Sequence, residues 1–411
     1  MNMRNVVFAS LSAGSAVLMA LVFFVAGQVL GTDAFGVFTY ALAAATIGEA
    51  LMDMGVHQLT VREVARDPAI RFELFRRQLS LKVVSGTVMC LAVFAVSAAI
   101  DSTPTTMLVV AVLLVSAVTR SLLLSIRGGL LGLEAFATDT ALVVGDRVLL
   151  TIACLVALAY GAGPVGLAVV FLATRVTTVT AAFVIARPYL GVPSWTYEPT
   201  LWIALQQQAL PLGAFMMVLT VYNYFDAVML KAMTTDHETG LYNGAYRLYE
   251  GTTYAAAVLS SLLTPRLSNL WKTRRTAHAP LARLGLAIAF VLSVGIGFVL
   301  WRWAPLWMYL VLGQEYLEAE DALRALAIGL PFVFSIWVLH AVAISAVRDR
   351  LLVRATIMGL GTNIALNWFW IPIWGREGAA YATVVGEGVT FIVLVLGVWR
   401  ILAGRDGEEA A

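Results

Sequence analysis

Four arginines, Arg120, Arg147, Arg175 and Arg247, stand inside long apolar runs of this chain. Six carboxylates, Glu49, Asp53, Asp146, Asp226, Glu250 and Glu387, stand in similar surroundings. At the centre of a membrane-spanning helix each charge costs roughly 2.5–3.5 kcal/mol on insertion scales, so such groups pair with one another or face a wet or charged space. An arginine fork pairs two oxygens of a phosphate at once, which suits it to an anionic head group. Carboxylates in the same space could neutralise the arginines, bind cations or exchange protons.

The spacing gathers these groups on helix faces, where residues three or four apart are neighbours. In DHETGLYNGAYRLYEG, from Asp236, one face carries Asn243, Arg247, Glu250 and Tyr254. Glu49, Asp53 and His57 follow at i, i+4 and i+8, with Thr46 on the same face. Further stripes are Ser116, Arg120 and Arg127; Asp139 and Asp146; Asn363 and Asn367; and Thr383, Glu387 and Thr390. Two readings stay open. The stripes line an aqueous path, or pairs such as Asp146–Arg147 and Arg247–Glu250 hold helices together. His57 and His340 read as hydrogen-bonded helix residues rather than ligands or proton relays.

The elements that position these groups are membrane helices. Of 411 residues 60% are hydrophobic and 13% charged, about half the charged share of a soluble domain. Apolar runs of roughly 20 residues, enough to cross the hydrocarbon core, recur from end to end. Twelve span cores are expected at 5–30, 36–60, 80–100, 107–126, 138–160, 164–186, 201–230, 240–263, 284–304, 322–346, 352–374 and 378–401. The fold class is therefore an all-α polytopic membrane protein. The segment from Pro305 reads as an interfacial helix, and Gly128–Gly129 beside Arg127 as a loop hinge.

Basic residues concentrate in one set of loops: Arg62, Arg66, Arg71, Arg76, Arg77 and Lys82; Arg127; Arg187; Arg266 to Arg283; and Arg348, Arg350 and Arg354. The opposite loops hold Lys231, Arg302, Arg324 and Arg376. The positive-inside rule then places both termini in the cytoplasm, which an even span number requires.

An ungapped internal match aligns GVFTYALAAATIGEALMDMGVHQLTVR, from Gly36, with GLYNGAYRLYEGTTYAAAVLSSLLTPR, from Gly240. The offset is close to half the chain. Chance likeness of two apolar helices with basic ends is the bland alternative. A true repeat means two parallel six-helix lobes, residues 1–190 and 191–411, around a central cavity near mid-membrane.

Other chemistry is missing from the sequence. There is no G-x-x-x-x-G-K-[ST] loop for ATP and no G-x-S-x-G elbow. The two cysteines, Cys90 and Cys154, and the four histidines show no metal-ligand spacing. Neither an enzyme nor a cofactor is expected, and no nucleic-acid partner.

The segment YNYFDAVMLKAMTTDHETGLYNGAYRLYEG, from Tyr222, resembles the seventh-to-eighth-span signature of polysaccharide and O-antigen flippases, of the multidrug/oligosaccharidyl-lipid/polysaccharide exporter superfamily. LGTDAFGVFTYALA from Leu30, LGQEYLEAEDALRALAIGLP from Leu312 and GTNIALNWFWIPIWGREGAAYAT from Gly361 are similar in order and spacing. The resemblance implies a flippase that moves polyprenyl-diphosphate-linked oligosaccharide across a bacterial inner membrane by alternating access of two lobes. Its partners would be that glycan, membrane lipids and other membrane proteins of polysaccharide assembly. It also implies basic residues that hold diphosphate, with Arg120, Arg147, Arg175 and Arg247 as the matches by span and depth. Arg247 alone lies in a motif, the GAYR from Gly244. Cavity or coupling positions are Glu49, Asp53, Asp146, Asp226, Glu250, Asn363, Asn367 and Glu387. Two alternatives remain: a multidrug and toxin extrusion-type cation antiporter, kept open by Tyr222, Tyr224, Tyr242, Tyr246, Tyr249 and Tyr254, and a non-transporting scaffold.

Terminal reporter fusions check the orientation. A fluorescent protein at the C-terminus is expected to fluoresce and alkaline phosphatase there to stay inactive; an active phosphatase would reverse the topology.

Overall fold

The computed structural model describes residues 15–192, 194 and 196–404. The start of the first expected span and the C-terminal residues 405–411, which include Glu408 and Glu409, lie outside the described residues. Among those described there are helices and turns and no strands.

The helices in chain order are α1 (Ala16–Asp53), α2 (Val56–Arg66), α3 (Arg71–Ile100), α4 (Pro104–Gly132), α5 (Phe136–Ala159) and α6 (Pro164–Leu190). They continue as α7 (Pro199–Met233), α8 (Asp236–Thr273), α9 (Arg275–Arg302), α10 (Ala304–Leu312), α11 (Glu320–Ser345) and α12 (Asp349–Leu402). Their starts follow local chemistry. Proline opens α4, α6 and α7, where its missing N–H is not needed. The Thr235 side chain caps α8 by accepting from the Glu238 N–H at 3.3 Å, and Asp236 and Glu238 occupy the positive first turn.

Among the described residues, nine helical stretches are long and apolar enough to cross a bilayer. Two of them hold two expected spans each. Gly31 (φ 73°) breaks α1 and Gly375 (φ 52°) breaks α12, at backbone angles that glycine adopts without a Cβ penalty. The span expected at 240–263 is on α8, which is 38 residues long but absent from the apolar set, because its polar face lowers its hydropathy. The chain is thus an all-helical, multi-pass membrane protein. The segment from Pro305 forms α10 and then a short 3-10 turn, Gln314–Ala319.

The chain divides into two compact units, Met1–Ala232 and Met233–Ala411. In the first, α4 is central and packs against α1, α2, α3, α5 and α6. Gly128 and Gly129 lie inside α4 rather than in a loop. Their missing side chains admit His57 and Thr60 on one side and Leu190 on the other. In the second unit α11 is central, against α8, α9, α10 and α12, and 67% of its most apolar window is buried. Each central helix is the fourth expected span of its half of the sequence.

Helix α7 falls in the first unit, whereas the sequence reading starts the second lobe with it. The reason is packing. Trp202 and Ala209 of α7 cluster with Val56, Leu59 and Leu81, and α7 meets the α1–α2 junction backbone to backbone at Gly213 and Gly55. The far end of α7 is tied as well: Lys231 pairs with Asp101 at 2.5 Å, in the α3–α4 loop. Burial raises the Asp101 pKa, but hydrogen bonds from Lys231, the Thr103 N–H and Thr106 outweigh it and hold the carboxyl well below the usual carboxylate range.

The α1–α2 junction also separates the two members of the internal match. Met54 (φ 42°) and Gly55 (φ 90°) are left-handed there, while the matched stretch of α8 runs on unbroken. A Cβ on Gly55 would run into the Ala209 carbonyl and the Gly213 backbone. Gly55→Ala is expected to lose about 1–3 kcal/mol from the backbone angle alone, with the clash added. Gly251→Ala, in open space on α8, should be neutral or slightly stabilising. Thermal unfolding of the detergent-solubilised proteins compares them; equal melting temperatures would refute this account of the junction.

Candidate functional site

The first unit contains a cavity of about 360 Å³ beside the α1–α2 junction. Thr46, Glu49 and Asp53 reach it from α1, His57 from α2, Arg120 from α4, and Thr220 and Tyr224 from α7. The stripe expected on one continuous helix therefore crosses a break, with His57 beyond it. The groups stay together because the His57 N–H donates to Asp53 Oδ2 at 3.4 Å, and His57 Nδ1 donates to the Leu124 carbonyl at 2.9 Å.

Three pairs organise the charges. Arg120 Nη1 donates to Glu49 Oε2 at 3.0 Å. Arg175 of α6 pairs with Asp146 of α5. Arg120 is within electrostatic reach of Asp146 and of Tyr224, so Glu49, Arg120, Asp146 and Arg175 alternate in sign along one path. Asp146 Oδ1 is buried without a hydrogen-bond partner among the described residues.

The third pair is one that the sequence reading misses. Lys82, assigned there to a basic loop, lies in α3 with 0% exposure and pairs with Asp53 Oδ1 at 2.6 Å. Its Nζ also donates to the Ser121 carbonyl of α4 at 2.8 Å. The basic residues inside the membrane region are therefore not all arginines. A signal was present: Lys82 already stands between Leu81 and Val83, past the RFELFRRQ boundary. Lys231 is likewise buried rather than exposed in a loop. Arg127, also assigned to a loop, holds Asp139 with Nε and Nη2 at 2.8 and 3.3 Å.

Neutralisation is uneven. Lys82 is fully enclosed, but the Arg120 side chain is 44% exposed and Glu49 only 8%. Arg120 makes no hydrogen bond other than that to Glu49 among the described residues. Its remaining N–H groups thus face the cavity.

The other arginines are placed differently. Arg147 is half-buried on α5, about 100° around the helix from Asp146, and is not in the cavity lining. Asp226 is buried on α7 and is also outside that lining.

The second unit gathers a separate polar cluster. Arg247 is buried and its Nη1 donates to Glu250 Oε2 at 2.6 Å. The Tyr249 hydroxyl donates to Glu387 Oε1 at 2.5 Å. Gly329 of α11 leaves the space in which Glu387 and Tyr249 meet. The Tyr242 hydroxyl lies 3.2 Å from Thr383 Oγ1, and the Tyr246 ring stacks on Tyr242 and meets Tyr249 at a tilt, with ring centroids 5.8 Å apart in each pair. Asn367 Nδ2 donates to Asn363 Oδ1 at 3.1 Å. His340 is buried. Among the described residues no three His, Cys, Asp or Glu side chains are grouped as metal ligands.

Residues 3–271 match the sequence pattern of the family described as polysaccharide biosynthesis protein. The chain belongs to that family. Its fold resembles that of solved MOP superfamily transporters. It is similar to a structure of the lipid II flippase MurJ in an inward closed conformation, at 15% identity and TM-score 0.74, over 97% of this chain and 90% of that one. It is also similar to an inward-facing multidrug resistance MATE family transporter, at 17% identity and TM-score 0.75, over 98% and 99% of the two chains. A MOP superfamily transporter from Pyrococcus furiosus, described with a reverse polarity of its binding pocket, matches at 16% identity and TM-score 0.64, over 98% and 96%. Among curated proteins none matches in sequence.

The buried pair under the cavity of this family member is open to test. Lys82→Met leaves Asp53 without its cation in a nearly closed space, and removing one partner of a buried pair costs about 3–5 kcal/mol. Combining it with Asp53→Asn is expected to restore most of that loss, because the replacements leave no unpaired charge. Unfolding of the two variants in detergent would show it; equal stability of single and double variants would mean that the pair is not needed.

Proposed function

We propose that this protein is a secondary transporter that flips a polyprenyl-diphosphate-linked oligosaccharide from the cytoplasmic to the outer leaflet of a bacterial inner membrane. Both termini are cytoplasmic in this reading. Six-helix lobes, 1–190 and 191–411 as the sequence divides them, alternate access to the substrate, although α7 packs within the first compact unit. Support comes from the family, from the fold it shares with a lipid II flippase, and from the position of each half's central helix.

The observation that carries the reading is Arg120. It holds a guanidinium at a cavity with a single hydrogen bond made, to Glu49. An incoming diphosphate offers it two oxygens in the geometry of its fork. As phosphate takes Arg120, Glu49 loses its cation and becomes the group that takes up a proton or another cation. Arg175 behind Asp146 keeps the far end of the path positive. Outward movement of negative charge follows an inside-negative potential, worth roughly 2.3 kcal/mol per charge per 100 mV. In the second unit Arg247, with Glu250 as its resting partner, is assigned as a further contact for an anion. Asp226, Asn363, Asn367 and Glu387 are assigned to the polar path, and Arg147 to its margin.

A cation antiporter is the second reading, favoured by the cluster of Tyr242, Tyr246 and Tyr249 with Glu387 bonded to Tyr249, aromatic rings and a carboxylate suited to an organic cation.

The test is leaflet translocation in proteoliposomes, with a fluorescent polyprenyl-diphosphate sugar and, in parallel, an organic cation. Loss of one charge-assisted contact is expected to slow flipping by Arg120→Ala roughly 10- to 100-fold, and Arg247→Ala should also slow it. Arg147→Ala should be close to wild type. Transport of the organic cation alone would hand the site to the antiporter reading.

A further inference from the structure

The turn between α11 and α12 carries a feature that the proposed transport path does not use. Its residues lie directly at the ends of two membrane-crossing stretches, Gln314–Ser345 and Asp349–Leu402. Because α12 folds back at Gly375, its two ends meet here. Leu351 packs on Gly397, whose lack of a side chain lets the helices close up, and Arg348 Nη1 donates to the Gly397 carbonyl at 2.6 Å. Around this crossing is an open pocket of about 540 Å³, lined by Val347, Arg348, Asp349, Arg350, Leu351, Arg354 and Gly397.

The lining has three guanidinium groups and one carboxylate. Arg350 and Arg354 are exposed and have no hydrogen bond or ion pair among the described residues. The first turn of α12 adds backbone N–H groups and the positive end of a helix dipole. The apolar part is also unusual. Val347 is a β-branched residue in the left-handed region, φ 57°, and it is 78% exposed. The turn is held there by a bond from the Arg348 N–H to the Ala343 carbonyl at 2.9 Å, the pattern in which glycine is the usual residue. Such a conformation costs about 1–3 kcal/mol and persists where the surroundings over-determine it. Exposed Ile344 and Trp399 lie at the same end of these helices.

We infer that this pocket is a binding site for the head group of an anionic phospholipid, with Arg350 and Arg354 on the phosphate, Arg348 positioning the rim, and Val347 and Trp399 against the acyl chains. Charge complementarity selects an anion, and the location selects a lipid. A pocket that opens at the border of two spans, with basic groups beside bare apolar side chains, meets both halves of a phospholipid at once. A soluble anion would use the arginines and leave the apolar rim without a role. The site is separate from the cavity at Arg120 and does not depend on which substrate is transported.

The experiment titrates the full-length protein, in neutral maltoside micelles, with phosphatidylglycerol and with phosphatidylcholine of the same chains, and counts adducts by native mass spectrometry. Saturable binding of phosphatidylglycerol is expected, with phosphatidylcholine much weaker. Arg350→Gln with Arg354→Gln should weaken phosphatidylglycerol binding roughly thirtyfold, the loss of two interfacial basic contacts. Arg350→Lys with Arg354→Lys should retain most of it, which separates lost charge from lost fold. Arg71→Gln with Arg76→Gln, at the basic start of α3, should change nothing. Unchanged binding by the glutamine variant, or equal binding of the two lipids, would overturn the site. Full competition by millimolar inorganic phosphate would reassign it to a free anion and overturn the lipid assignment.

Discussion

Burying a charged amine beside a carboxylate at a helix break is the constraint around which the first unit is built. Lys82 reaches from α3 to Asp53 at the end of α1 and to the Ser121 carbonyl of α4. It thereby joins three helices at the point where the backbone turns through Met54 and Gly55. That turn is itself fixed by the approach of α7 at Gly213. A buried pair of this kind adds little net stability against an apolar alternative, since desolvation offsets most of the attraction. What it contributes is position. With Asp53 held, the backbone of His57 and the face of α1 that bears Glu49 have one arrangement relative to α4.

Position then decides which charges can act. Asp53 is satisfied by a lysine without access to the cavity, and Asp146 by an arginine behind it. Glu49 shares its partner with the cavity, because Arg120 is the accessible member of that pair. The acid-rich list of intramembrane charges is therefore not a measure of the cavity's character. Once the pairs are assigned, the accessible member is Arg120, and the carboxylate paired with it is Glu49. Neutralised pairs and a lined cavity, opposed as readings of the sequence, are both present in one network.

The second unit solves a related problem with hydroxyls and amides. Tyr249 and Tyr242 reach from α8 to Glu387 and Thr383 of α12, and Asn363 and Asn367 bond to each other. The space for Glu387 and Tyr249 exists because α11, the central helix, carries Gly329 where they meet. A polar helix such as α8 is tolerated because these partners take up its polar face. Its paired Arg247 and Glu250 would otherwise carry a membrane insertion cost.

Composition and periodicity alone determined the class of the protein: all-helical and multi-pass, with expected span cores that fall on helices wherever the residues are described. Apolar runs of bilayer length have few other uses in water or lipid, so this information is local. The stripes of Glu49, Arg120, Asp146, Arg247 and Glu387 were legible for the same reason, since neighbours on a helix face are set by sequence spacing. Partners were not legible. Asp53 and Lys82 are 29 positions apart, Glu49 and Arg120 are 71 apart and Tyr249 and Glu387 are 138 apart. Which side chains meet across such distances depends on how helices pack, and a one-dimensional pattern does not encode it. Asp146 and Arg147 show the difference: adjacent in the chain, they point about 100° apart, and Asp146 pairs with Arg175 instead. The break at Gly55 was also hidden, because a short stretch with one glycine reads as continuous helix until the backbone of α7 is placed against it. Tertiary packing, through close approach and burial, decided which charges are neutral, which arginine faces the cavity, and where α7 belongs.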